Sequence, residues 1–112
     1  EAPIELVGYD TTGQNTTITL RADGIEDTTT HDGVGPVEAL TAALEQRGYP
    51  VEILNLHQVS TSAGNDSEAI TLVEYRHGPR SAWVAGKDRS VLTASLTAIM
   101  NTTADIPGAI AR

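Results

Sequence analysis

Apolar positions recur at every second residue in some stretches of this chain and at every third or fourth in two others, and that contrast predicts its elements. Pro3 to Tyr9 has strand character and closes at Asp10-Thr11-Thr12-Gly13. Thr16 to Ala22 alternates Thr with Ile18, Leu20 and Ala22, the period of a half-buried antiparallel strand. Asp23-Gly24 turns the chain into a third, more polar strand that starts at Ile25 and ends at His31-Asp32-Gly33. Pro36 suits the first position of a helix. Val37, Leu40, Ala43 and Leu44 then form one apolar stripe that stops at Gly48-Tyr49-Pro50.

The same order returns. Val51 to about Ser60 predicts a strand, and Ser62-Ala63-Gly64-Asn65-Asp66 a turn. Ala69 to Arg76 predicts a second strand, His77-Gly78-Pro79 a turn, and Ser81 to Ala85 a third strand. From about Arg89 to Thr103 a helix presents Leu92, Leu96, Ile99 and Met100 on one face. The sum is an α+β domain of two βββα units, with helices packed on antiparallel sheet. One domain over 1–112 is expected, with halves at about 1–49 and 50–105 and a short tail, 106–112.

The two helical segments also share a string. Glu38-Ala39-Leu40-Thr41-Ala42-Ala43-Leu44 returns fifty-two positions later as Ser90-Val91-Leu92-Thr93-Ala94-Ser95-Leu96. Each copy follows what reads as a glycine turn, Gly33-Val34-Gly35-Pro36 and Gly86-Lys87-Asp88-Arg89. An internal duplication of this kind points to the seam between copies, and to binding or association rather than catalysis.

Composition narrows the function classes. With no Phe, one Trp and 39% hydrophobic residues, the core must come from Leu, Ile, Val and Ala, and pairing with a second copy would help it. A net charge of −8 with only seven Lys and Arg argues against nucleic acid and anionic membranes. The absence of cysteine removes thiol catalysis and thiolate metal sites and favours a reducing cytoplasm. No apolar run approaches a membrane span and no signal peptide is read. The start at Glu1 reads as a piece cut from something longer.

No catalytic constellation emerges. His31, His57 and His77 lack metal-ligand spacing, and no nucleophile elbow, Walker or Rossmann pattern occurs. The fragment is not expected to be an enzyme by itself. The helix starts are more informative, because free N–H groups and a favourable dipole there suit a carboxylate or phosphate. An accompanying ammonium would find an acceptor in Asp66, Asp88 or a backbone carbonyl.

At these residues the chain resembles a known family. Gly33-Val34-Gly35-Pro36-Val37-Glu38-Ala39-Leu40 is similar to the G-x-G-P-h-x-A motif of the C-terminal regulatory domain of 2-isopropylmalate synthase. Ser62-Ala63-Gly64-Asn65-Asp66 resembles the family's S-x-G-x-D/N-A loop. Trp83-Val84-Ala85-Gly86 with Ser90 to Leu96 resembles its W/G-x-G-x-x-x-S-I-x-x-A-S-h-x-A segment. The likeness covers about residues 30–104, and the actinobacterial form is the most similar.

The resemblance implies a leucine-binding, feedback-regulatory domain that forms a homodimer in the cytoplasm. It would sit on the same chain as a catalytic TIM barrel, an acyltransferase in leucine biosynthesis. Acetyl-CoA and a divalent metal belong to that barrel, so the domain itself needs no cofactor. Carried over by position, the effector site comprises Gly33, Gly35, Pro36 and Val37 at the first helix start and His57 on the following strand. Ala63, Gly64, Asn65 and Asp66 come from the loop, and Lys87, Asp88 and Arg89 from the second helix start. His57 stands where a tyrosine is common, Asn65 where an acidic residue is frequent, and Lys87 and Arg89 where small or apolar residues are usual. Two other readings stay open: an isoleucine-sensing domain of a citramalate synthase relative, and a dimerisation-only module.

Overall fold

The computed structural model describes residues 4–60 and 67–105. The order is β1 (Ile4–Thr12), β2 (Asn15–Ala22), β3 (Ile25–Asp32), α1 (Pro36–Gln46), β4 (Glu52–Ser60), β5 (Ala69–His77), β6 (Arg80–Asp88) and α2 (Val91–Asn101), closed by a 3-10 turn at Thr102–Asp105. The strands form two antiparallel three-stranded meanders, β1-β2-β3 and β4-β5-β6. This is the expected α+β fold of two βββα units.

Strand alternation decides which face is covered. In β2, Thr16, Ile18 and Leu20 are buried, and in β5 the equivalent set is Thr71, Val73 and Tyr75, with Ala69 buried ahead of it. Both central strands therefore turn one face to the helices. One hydrophobic cluster joins both units, drawing Ile4, Ile18 and Leu20 from the first sheet and Val73 and Tyr75 from the second. Leu40 and Leu44 of α1 meet Leu96 and Ile99 of α2 in the same cluster. The first strand of each unit carries a bulge at the same place, with Val7 and Leu54 as the extra residues.

The repeat is real, but its offset is 55 residues rather than 52. Thr16 of β2 corresponds to Thr71 of β5, and the helix N-caps are Gly35 and Ser90. Adding 55 to the buried positions of α1, Ala39, Leu40, Ala43 and Leu44, gives Ala94, Ser95, Ala98 and Ile99, all buried in α2. The string match over Glu38 and Ser90 is off by three residues. A shift of three is nearly one helical turn, so the apolar stripe stays almost in phase and the pattern alone does not separate the two alignments.

Two further expectations change. The last strand runs to Asp88, so Gly86 belongs to β6 and makes no turn. It faces α2, where a Cβ would fall onto the backbone of Ala94 and Ala98. Its glycine serves a close approach of helix to sheet. The second helix is also shorter than Arg89 to Thr103. It ends at Asn101, where the Thr102 and Thr103 hydroxyls donate back to the Ile99 and Met100 carbonyls, both at 2.7 Å.

Candidate functional site

The first helix start is held by the hairpin that precedes it. Gly33 sits at φ +72°, a conformation open to glycine, and its N–H donates to the Gln14 carbonyl at 2.7 Å. The buried Thr16 hydroxyl donates to the Val34 carbonyl at 3.2 Å. Together these bonds pin the Gly33-Val34-Gly35 segment against the tip of the β1–β2 hairpin. Gly35, the N-cap, is extended and offers no side chain to the helix. Pro36 has no N–H, and the first intrahelical bond runs from Ala39 N–H to Gly35 O at 2.9 Å. The N–H groups of Val37 and Glu38 therefore lie ahead of the helical ladder, in its positive field.

An open cleft of about 490 Å³ lies at this start, lined by Thr11, Gly13, Gln14 and Thr16 together with Gly33, Val34, Gly35 and Pro36. Three of the expected effector residues thus share one cleft. Val37 sits one residue on, half-buried against the core. The hairpin side of the cleft was not foreseen. The Asn15–Asp32 pairing that places it was available from the strand pattern, had the hairpin register been extended to the tip.

The second helix start is built differently. Asp88 Oδ1 accepts the Ser90 N–H at 2.9 Å, and Ser90 Oγ accepts the Thr93 N–H at 3.2 Å. Two of its donors, the Ser90 and Thr93 N–H groups, are thus met by its own side chains. Lys87 pairs with Glu68 at 3.4 Å on the surface, and Arg89 is exposed. His57 lies on the outer face of the second sheet, its ring stacked on Trp83 with centroids 5.9 Å apart and planes 22° apart. His57, Lys87, Asp88 and Arg89 do not line the first cleft. Ala63, Gly64, Asn65 and Asp66 lie outside the described residues.

A second cleft, about 650 Å³, occupies the seam between β1 and α2. Ile4, Leu6, Tyr9, Thr93, Thr97 and Met100 contribute to its walls, and the Tyr9 and Thr93 hydroxyls lie 3.3 Å apart across it. The seam expected from the duplication therefore holds a cavity, with none of the expected effector residues in its lining. At its rim Arg21 bridges Glu26 at 2.8 Å and Glu5 at 2.9 Å. The hydrogen bonds to Glu26 and then Glu5 raise the guanidinium pKa further above its ordinary value. Among the described residues no cluster of three or more His, Asp or Glu is placed to hold a metal ion, and no helix is long and apolar enough to cross a membrane.

The sequence profile of the LeuA allosteric (dimerisation) domain matches residues 4–106, from β1 through the 3-10 turn. The chain belongs to this family. Similar curated proteins carry the name 2-isopropylmalate synthase. That of Parafrankia sp. is 35% identical over 105 residues, 89% of this chain and 19% of the relative. That of Kineococcus radiotolerans is 39% identical over 84 residues, covering 75% and 15%. The Cupriavidus taiwanensis protein is 34% identical over 107 residues, covering 90% and 18%. The chain thus spans less than a fifth of the length of these relatives.

Proposed function

We propose that this chain is the leucine-binding, feedback-regulatory and homodimerising domain of a 2-isopropylmalate synthase in leucine biosynthesis. The observation that carries the reading is the uncapped start of α1, opening on a cleft within the family-matched region. A leucine carboxylate would take the Val37 and Glu38 N–H groups, with the helix dipole in its favour. Gly33 and Gly35 let the ligand approach the backbone. The ammonium would be met by carbonyl or carboxylate oxygens, for which the sequence offers Asp66. The domain binds and does not catalyse. Acetyl-CoA, the divalent metal and the condensation belong to a catalytic domain on the same chain. Inhibition then requires leucine to favour one conformation of the whole enzyme over another.

Isothermal titration of the purified chain with leucine, isoleucine and valine tests this. Saturable binding selective for leucine is expected. Preference for isoleucine would transfer the domain to the citramalate synthase type. A folded dimer that binds none of the three would leave dimerisation alone, a reading favoured by the self-capped second helix start.

A further inference from the structure

We propose that Thr16 is a positioning residue for the effector cleft: its buried hydroxyl fixes the Val34–Gly35 peptide in the orientation that presents a donor to the ligand. This rests on the leucine-binding reading given above and names a residue, outside the expected set, through which that site is shaped.

Thr16 occupies the inner row of β2 with Ile18 and Leu20 and is 1% exposed. A hydroxyl taken out of water in such a row costs stability unless it finds a partner. Here it donates to the Val34 carbonyl at 3.2 Å. Thr16 also lines the cleft at the start of α1, so one side chain borders the site and holds the segment that forms it.

What that bond controls follows from its neighbours. Gly33 is held by the bond from its N–H to the Gln14 carbonyl, and the ring of Pro36 fixes φ there. Between them, the Val34–Gly35 peptide is the unit left to turn, and a glycine on one side makes turning cheap. Gly35 itself has φ −76°, open to any residue, and a Cβ there meets nothing within 4 Å. Neither backbone conformation nor space in the free domain therefore calls for glycine at this position. The peptide is trans, so its N–H points opposite to its C=O. With the Val34 carbonyl turned to β2, the Gly35 N–H is turned away from it and adds a third donor to those of Val37 and Glu38. Without the Thr16 hydroxyl, this peptide has to be ordered as the ligand binds, and affinity falls.

The repeat supplies an internal control. Thr71 holds the corresponding inner position of β5 and is 0% exposed. Its hydroxyl lies 3.1 Å from Ser95 Oγ on α2, where the first half has Leu40. The two threonines are equally buried, one bonded to the effector segment and the other to a helix side chain.

Isothermal titration of the whole chain with leucine is run on the wild type and on Thr16→Val, Thr16→Ser and Thr71→Val, with circular dichroism and Tm for each. Valine keeps the shape of threonine and removes the hydroxyl, whereas serine keeps the hydroxyl. Affinity about tenfold weaker is expected in Thr16→Val, the cost of ordering roughly one residue of backbone. Thr16→Ser should retain wild-type affinity, and Thr71→Val should lower Tm with affinity unchanged. In the wild type, amide exchange followed by NMR should show the Gly35 N–H slowed by saturating leucine, and this decides alone if Thr16→Val fails to fold. Undiminished affinity in Thr16→Val, an equal loss in Thr71→Val, or a Gly35 amide unmoved by leucine overturns the positioning role and leaves the leucine reading intact. A wild type that binds no leucine overturns both.

Discussion

Replacing Gly86 with alanine probes how closely α2 is seated on the second sheet. The added methyl meets backbone on two successive turns of the helix, at Ala94 and Ala98, with the Ala98 Cα at 3.0 Å. No flexible side chain is there to move aside. Lifting α2 by about 1 Å to make room forfeits a quarter to a half of each dispersion contact beneath it. That face includes Ala94, Ser95, Ala98 and Ile99, all buried. Overpacking of this kind costs about 3 kcal/mol at the upper end of its usual range. Alanine returns about 0.4–1 kcal/mol by restricting the unfolded chain. The net loss is therefore about 2 kcal/mol, a fall in Tm of about 8–16 °C at the usual scaling for small domains. Urea denaturation should show a lower midpoint at unchanged slope. Gly8→Ala is the control, since nothing lies within 4 Å of a Cβ there, and it should be neutral or slightly stabilising. Equal Tm values for Gly86→Ala and the wild type, or an equal loss in Gly8→Ala, would refute the close-approach argument.

Other positions give independent tests. Ser90→Ala removes the cap that accepts the Thr93 N–H and should cost about 1 kcal/mol by chemical denaturation, whereas an unchanged midpoint would mean that water caps the helix as well. Ser95→Ala strips the buried hydroxyl shared by Thr71 at 3.1 Å and Gln58 at 2.8 Å, and a loss of about 1–3 kcal/mol is expected in the same assay. Gly35→Val has room for its Cβ in the free domain, so titration should show leucine binding lost while Tm moves little; retained affinity would place the effector elsewhere.

The secondary structure was legible because its signals are local. Thr16, Ile18 and Leu20 alternate, Pro36 starts a helix, and Gly48 with Pro50 stops it. What the sequence concealed depends on contacts between distant segments. Gly86 reads as a turn glycine until α2 is laid across β6, and the repeat offset reads as 52 until burial shows which helical positions correspond. The hairpin side of the first cleft exists because Gly33 bonds to Gln14, nineteen residues earlier in the chain. His57 was assigned to the effector site by position, whereas its outward direction and the Trp83 ring beside it follow from sheet register.

The two halves have diverged from one plan in complementary ways. At the helix starts, the first half keeps Gly35, which offers no side-chain cap, while the second has Asp88 and Ser90 to accept the Ser90 and Thr93 N–H groups. On the outer sheet faces both halves close an arginine–glutamate pair, Arg21 with Glu5 and Arg76 with Glu52, but the first half then carries threonines where the second carries Leu72, Val59 and Trp83. Each half thus retains one unsatisfied surface, polar in the first and apolar in the second, and the shared core ties them together through α1 and α2. A ligand that tightens the first helix start would act on α1, whose buried Leu40 and Leu44 share a cluster with Leu96 and Ile99 of α2. Since α2 rests on the inner face of β5 and β6, a shift in α1 has a packed route to the second sheet. Leucine affinity and dimer affinity should therefore be linked, each changing the other by the same factor. Sedimentation with and without saturating leucine measures that factor. A dimer dissociation constant unmoved by bound leucine would show that the two surfaces are independent, and the route through the helices would carry no signal.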